Sequence, residues 1–225
     1  MKIYAHRGAH IGLTEMSMSA YQAAIAQGAD GFECDVRLTA DQEIICWHDA
    51  DTARITGKRV TISSTRFADL SFADPVRLED LLQLAISAKK DLAIETKHPV
   101  STGGLIEKAV LALLYSYEEQ INKSGITVTL MSFSWRAMQR CKETSVDTTF
   151  LFKWKFLAST SMTPIVGPSI TLIRSHPEIV KELHDEGKRI FVWTVNEESD
   201  IELCLRLGVD AIATDNPALA RKVLR

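Results

Sequence analysis

Three carboxylates, two histidines, an arginine and a lysine stand out in this chain because each falls within or just after a short apolar run. His6 and Arg7 close Lys2-Ile3-Tyr4-Ala5. Glu33 and Asp35 alternate within Gly31-Phe32-Glu33-Cys34-Asp35-Val36, so in a strand they share one face while Cys34 takes the other. Glu95 and Lys97 repeat that spacing after Leu92-Ala93-Ile94, and His48-Asp49 follow Ile44-Ile45-Cys46-Trp47. Taken singly, each residue has an ordinary explanation: a hydrogen-bonded strand-end His, an acid capping the next helix, an Arg in a solvated loop. Brought to one place, they concentrate more charge than a protein buries without a compensating ion or substrate. Glu33, Asp35 and Glu95 are hard oxygen donors, suited to Mg²⁺ or Ca²⁺ rather than Zn²⁺. His6 and His48 can exchange protons near neutrality as general base and general acid. Arg7 and Lys97 offer positive charge to phosphate oxygens. A divalent ion would polarise a phosphoryl oxygen and activate an attacking hydroxyl. The set reads as metal-assisted cleavage of a phosphate ester.

These residues meet only if the elements that carry them converge. A junction recurs along the chain: a helical pattern, a Gly, then a short apolar strand. Gly28, Gly125, Gly187 and Gly208 mark four such junctions, and Gly28-Ala29-Asp30-Gly31-Phe32 resembles Gly208-Val209-Asp210-Ala211-Ile212. A Gly just past a helix end takes the left-handed conformation that caps the helix. The patterns predict strands at 2–6, 31–36, 43–47, 91–96, 126–131, 148–152, 170–174, 190–193 and 210–215. They predict helices at 17–27, 77–88, 103–121, 135–143, 177–186, 197–206 and 216–224. About eight βα units favour a single (β/α)8 barrel domain over residues 1–225, with a doubly wound open sheet as the alternative. Pro164, Gly167 and Pro168 make the fifth helix, within 153–169, short or irregular. Residues 49–76 form one long βα loop, which in a barrel lies on the catalytic face. Catalytic residues of such barrels come from the C-terminal ends of several strands, where the charged set above falls.

Composition narrows the partners. The 225 residues carry 26 Lys+Arg against 29 Asp+Glu, a net charge of −3, and 46% are apolar. That supports a sizeable core and argues against nucleic acid or an anionic membrane as an electrostatically dominant partner. No apolar run is long enough to span a bilayer, and the first residues do not read as a signal peptide. Cys34, Cys46, Cys141 and Cys204 lie far apart with no CxxC, as expected of reduced, mostly buried thiols in a cytoplasmic protein. Trp47, Trp135, Trp154 and Trp193 read mostly as core. Dinucleotide, P-loop, GxSxG and zinc signatures are absent. Oligomeric state is not legible.

The chain resembles the glycerophosphodiester phosphodiesterase family through nearly its whole length. His6-Arg7-Gly8 is similar to the family's opening, Thr14-Glu15-Met16-Ser17 to its PENT-like segment, and Gly28 through Val36 to its GAD-G-E-D-V stretch. His48-Asp49 with Arg54, Thr56 and Gly57, then Glu95-Thr96-Lys97 and Ser132-Phe133-Ser134, continue the match. Val192-Trp193-Thr194-Val195-Asn196 and Thr214-Asp215-Asn216-Pro217 close it. The resemblance implies a TIM barrel that hydrolyses a small-molecule glycerophosphodiester to glycerol 3-phosphate and an alcohol. It implies His6 and His48 as acid/base pair, Glu33, Asp35 and Glu95 as ligands of Mg²⁺ or Ca²⁺, and Arg7 and Lys97 at the phosphate. Trp193 falls at the aromatic position near the glycerol, and Glu15 in a supporting place, ion-paired to Arg7. The nucleophile is water or the neighbouring glycerol 2-hydroxyl. Two rivals use the same constellation: phospholipase-type cleavage of lysophospholipids, and a phosphate-ester binder without turnover. The first wants an exposed apolar rim, for which Phe67, Leu70 and Phe72 are candidates, although anchoring the long loop suits them better.

Overall fold

A strand buried on both sides must be apolar on both faces, and most strands here meet that condition by sending alternate residues to two different cores. In the first strand, β1 (Lys2–His6), Ile3 and Ala5 face the helices while Tyr4 faces inward. The same division holds along β2 (Gly31–Leu38), where Phe32, Cys34 and Val36 pack outward and Glu33 and Asp35 are left for the interior. The computed structural model describes residues 1–225.

Seven further strands follow: β3 (Ile44–Cys46), β4 (Asp91–Thr96), β5 (Val128–Ser132), β6 (Asp147–Phe152), β7 (Ile165–Pro168), β8 (Arg189–Val192) and β9 (Ala211–Thr214). All except β3 pair in parallel, in the order β1-β2-β4-β5-β6-β7-β8-β9, and β9 returns to β1. The result is a closed eight-stranded parallel barrel with helices between strands, the expected (β/α)8 architecture. Closing the ring removes the sheet edges that an open sheet would expose. The barrel interior is filled by Tyr4, Ala93, Met131, Leu151, Ile165, Phe191, Ala211 and Ala213. The helices close over the outside through two larger clusters of aliphatic residues. No helix is long and apolar enough to cross a membrane.

Strand β3 stands outside the ring. It pairs antiparallel with β2, which overshoots the barrel rim and turns back at residues 39–43. That return sets the Trp47 N–H on the Asp35 carbonyl at 2.8 Å, so His48 comes back to the level of the mouth. The long segment after it holds a short helix, Ala53–Thr56, and two 3-10 turns, Ile62–Ser64 and Phe67–Ala73. Ile45, Trp47, Ile62 and Leu70 pack into a small core of their own that fastens this segment to the barrel.

One strand lies elsewhere than expected. The run from Ile170 to Arg174, rich in β-branched residues, is part of a helix, Ile170–Ser175, and the strand is the preceding Ile165–Pro168. Local capping outweighs β propensity here: the Ser169 hydroxyl accepts the Leu172 N–H at 3.3 Å and opens a helical turn just after Pro168. The fifth helix is the 3-10 segment Lys155–Thr160, short as its Pro-containing surroundings require. The stretch predicted as one helix over 103–121 breaks at Tyr117 into Leu105–Ser116 and Glu118–Ser124. The tryptophans also divide differently, for Trp47 is buried but Trp135 and Trp154 are exposed. All four cysteines are buried and unpaired.

Candidate active site

The C-terminal end of the barrel collects the charged residues through strand register. His6 on β1 lies level with Glu33 on β2, and Asp35 lies level with Glu95 on β4. One carboxylate oxygen from each of Glu33, Asp35 and Glu95 falls within 4.8 Å of the others, and all three residues are buried. Beside them is a small cavity lined by His6, Glu33, Glu95 and Trp193, about 20 Å³ for a water-sized sphere. That is room for one water or one ion.

The chain enters this site through a constrained turn. Arg7 is left-handed (φ 56°) and Gly8 follows at φ 79°. A Cβ on Gly8 would sit 2.8 Å from Ala20, so both the backbone conformation and the close helix call for glycine. The turn aims the Arg7 N–H at Glu33 Oε2 (3.1 Å), and Arg7 Nε lies 2.9 Å from Asp35 Oδ2. Met16, also left-handed, donates its N–H to the Arg7 carbonyl at 2.8 Å and thereby brings Glu15 alongside. Glu15 meets Arg7 Nη1 at 3.3 Å but is gripped more closely by Arg54, at 2.6 and 2.9 Å. Glu15 therefore bridges two arginines rather than serving Arg7 alone.

Lys97 Nζ is 2.7 Å from Glu95 and 3.1 Å from Asp35. Burial would raise the Asp35 carboxyl, yet Lys97 and Arg7 outweigh it and hold Asp35 below its usual range. Glu33 is pushed well up by burial and by the charges of Asp35 and Glu95. Burial and Asp35 push Glu95 up to about 8. Asp35 Oδ2 and Arg7 Nε, although close, miss hydrogen-bond geometry, so a fully buried carboxylate oxygen is left without a hydrogen bond. Three converging carboxyls, two of them driven toward protonation and the third with one oxygen that accepts no hydrogen bond, fit a hard divalent cation.

Each motif histidine is held by a carboxylate. His6 Nδ1 is 2.7 Å from Asp215, and Asp215 is fixed by Asn196 Nδ2 at 2.6 Å. His48 Nδ1 is 2.8 Å from Asp49, whose other oxygen takes Arg54 Nε at 2.5 Å. Arg37 donates twice to the His48 carbonyl, at 2.9 and 2.8 Å. Burial lowers the pKa of the His48 ring against the pull of Asp35 and Asp49. Both Nε2 atoms are left without a protein partner. Trp193 donates its indole N–H to Gly167 O at 2.7 Å and presents its ring to Phe133, edge to face at 5.0 Å.

The sequence pattern of the "Glycerophosphoryl diester phosphodiesterase family" matches residues 6–219. The chain belongs to that family. It is accordingly an enzyme of the glycerophosphodiester phosphodiesterase class, a phosphoric diester hydrolase. A relative from Mycobacterium tuberculosis, named as a probable glycerophosphodiester phosphodiesterase 1, is 32% identical over 96% of this chain and 89% of its own. A putative glycerophosphoryl diester phosphodiesterase from Agrobacterium tumefaciens superposes with a TM-score of 0.86 at 22% identity, covering 99% of this chain and 96% of the other. An Oleispira antarctica phosphodiesterase solved with its product sn-glycerol-3-phosphate superposes at 0.81 with 19% identity, covering 100% and 96%. At those identities the two structures speak for the fold alone.

The expected residues of this phosphodiesterase, His6, Arg7, Glu15, Glu33, Asp35, His48, Glu95, Lys97 and Trp193, all stand at or beside one mouth. Sequence reasoning assigned no task to Asp215, Asp49 or Arg37. Asp49 is legible as the neighbour of His48. The link from Asp215 to His6 spans 209 residues and follows only from closing β9 against β1.

Proposed function

We propose that this enzyme hydrolyses glycerophosphodiesters to glycerol 3-phosphate and an alcohol such as choline or ethanolamine, using a divalent cation held by Glu33, Asp35 and Glu95. The observation that carries the proposal is the buried carboxylate trio beside a cavity of about 20 Å³ that His6 also lines. When bound, the cation supplies Lewis-acid charge to a phosphate oxygen and to the attacking hydroxyl. Arg7 and Lys97, which lie against Asp35, add positive charge at the phosphate. With Nδ1 of His6 engaged by Asp215 and Nδ1 of His48 by Asp49, the proton is exchanged at Nε2 of each ring. One ring deprotonates the nucleophile, water or the glycerol 2-hydroxyl, and the other protonates the leaving alcohol. The Trp193 ring, braced by Phe133, forms the apolar wall against which the glycerol carbons lie. Glu15 holds Arg7 and Arg54 in register. Residues 1–225 act as one domain, and four buried unpaired thiols suit the reducing cytoplasm.

Glycerol 3-phosphate release from glycerophosphocholine, measured in EDTA and after restoring Mg²⁺ or Ca²⁺, tests this directly. Release that depends on the cation is expected. A folded protein that releases nothing with either ion overturns the assignment.

A further inference from the structure

Several of the large apolar side chains left exposed on this barrel lie where the strands end. Ile11 (69% exposed) and Leu13 lie on the segment leaving β1, Phe133 follows β5, and Trp154 (64%) and Phe156 (69%) follow β6. In the ring order β6 is four places from β1 in either direction, so the segments after these two strands lie on opposite sides of the mouth. Cations stand among them. Lys153 and Lys155 flank Trp154 in Lys153-Trp154-Lys155-Phe156, and Arg136 is exposed just beyond Phe133. Lys155 is paired with Glu178 at 2.8 Å, but Lys153 and Arg136 make no ion pair, and Lys153 Nζ sits 5.7 Å from the Trp193 ring centroid. The long segment after β3 adds little to this rim: Leu70 is buried, Phe67 is half-buried with Arg77 over it at 4.4 Å, and Phe72, although exposed, has Lys58 over its ring at 4.5 Å.

We propose that this rim docks the open end of the barrel on an anionic lipid surface. Exposed aromatic rings on loop tips settle at the boundary between headgroups and acyl chains, and unpaired ammonium and guanidinium groups beside them meet lipid phosphates. The placement favours a lipid surface over a protein partner. A rigid partner touching both sides of the mouth would cover the site, whereas a fluid surface contacts both sides while presenting phosphodiester headgroups to the opening between them. The overall charge of −3 keeps electrostatics from dominating, so the exposed rings lead the docking and Lys153 and Arg136, the charges within a Debye length of the surface, add to it.

The test is sedimentation with vesicles of phosphatidylcholine alone and of phosphatidylcholine and phosphatidic acid in equal parts, in EDTA and at low salt. Wild type is expected on the mixed vesicles about tenfold more strongly than a Trp154→Ser/Phe156→Ser variant, with retention falling as salt rises. Both side chains are exposed and outside the catalytic cluster, so the variant is expected to retain its circular dichroism and its turnover of soluble glycerophosphocholine. Absence of wild-type retention, or equal retention of the variant, overturns the proposal. Retention is read without turnover, so inactivity toward a soluble diester would strike the catalytic assignment and leave the docking result standing.

Discussion

Both ends of this barrel bury aspartates, and the two ends treat them in opposite ways. Where the strands begin, Asp91 accepts hydrogen bonds from Lys2 at 2.5 Å, Tyr4 at 3.1 Å and the Thr127 N–H at 2.8 Å. Asp30, half-buried, and Asp210, exposed, tie strands in the same way by accepting the N–H groups of Ile3 (2.8 Å) and Ile190 (2.7 Å) on adjoining strands. Where the strands end, Asp35 has cations on both sides yet one oxygen without a hydrogen bond, and Glu33 and Glu95 are driven toward protonation. A satisfied buried carboxylate ties neighbouring strands together. A crowded cluster carries an electrostatic penalty that either protons or a bound cation relieve. Burial alone does not separate structure from function; the state of the acceptor oxygens does.

The sharpest way to break this contrast is at the histidines. His6→Ala and His48→Ala are each expected to lower kcat by about a hundredfold or more while Tm stays within a few degrees of wild type. Near-normal turnover in either would detach the acid/base role from that ring. At the other end, Asp91→Ala is expected to show the reverse pattern. It strands Tyr4 and the Thr127 N–H and removes about 2 kcal/mol of stability, which lowers Tm by roughly 5 °C. Turnover per folded molecule should be unchanged, and a large loss of kcat would show that the two ends are not separable. A smaller effect is expected from Asp215→Asn. The amide keeps the size of the carboxylate but not its charge on His6; losing a charge-assisted bond of about 1.5 kcal/mol at this partly exposed pair should lower kcat about tenfold with little change in KM. An equal rise in KM would make Asp215 a binding residue instead.

Much of this organisation is legible in the sequence because a barrel repeats itself. The likeness of Gly28-Ala29-Asp30-Gly31 to Gly208-Val209-Asp210-Ala211 marks two strand starts, and the structure shows what the shared aspartate does there. Gly31 has a second reason to be small: a Cβ would meet the Tyr4 ring at 2.6 Å and the Asp91 carbonyl at 2.8 Å. Alternation along β2 is enough by itself to separate Glu33 and Asp35 from Cys34. Other features depend on contacts that no local pattern encodes. Ile170 through Ile173 look like a strand because their side chains are β-branched or aliphatic, but the Ser169 cap decides in favour of a helix. His48 reads as the end of a barrel strand, whereas it reaches the mouth on an antiparallel return outside the ring. Trp135 and Trp154 read as core from residue type, and only the packing leaves them on the surface.

The contrast between the two ends is tested most directly by thermal melting with and without divalent cation, in wild type, in Glu33→Gln/Asp35→Asn and in Asp91→Ala. Saturating Mg²⁺ or Ca²⁺ is expected to raise the Tm of wild type by roughly 5 °C. Asp91→Ala should show the same rise from a lower starting point, and Glu33→Gln/Asp35→Asn should show almost none. A rise in that double variant equal to wild type, or no rise in wild type with either ion, would contradict the claim that this carboxylate cluster holds a cation.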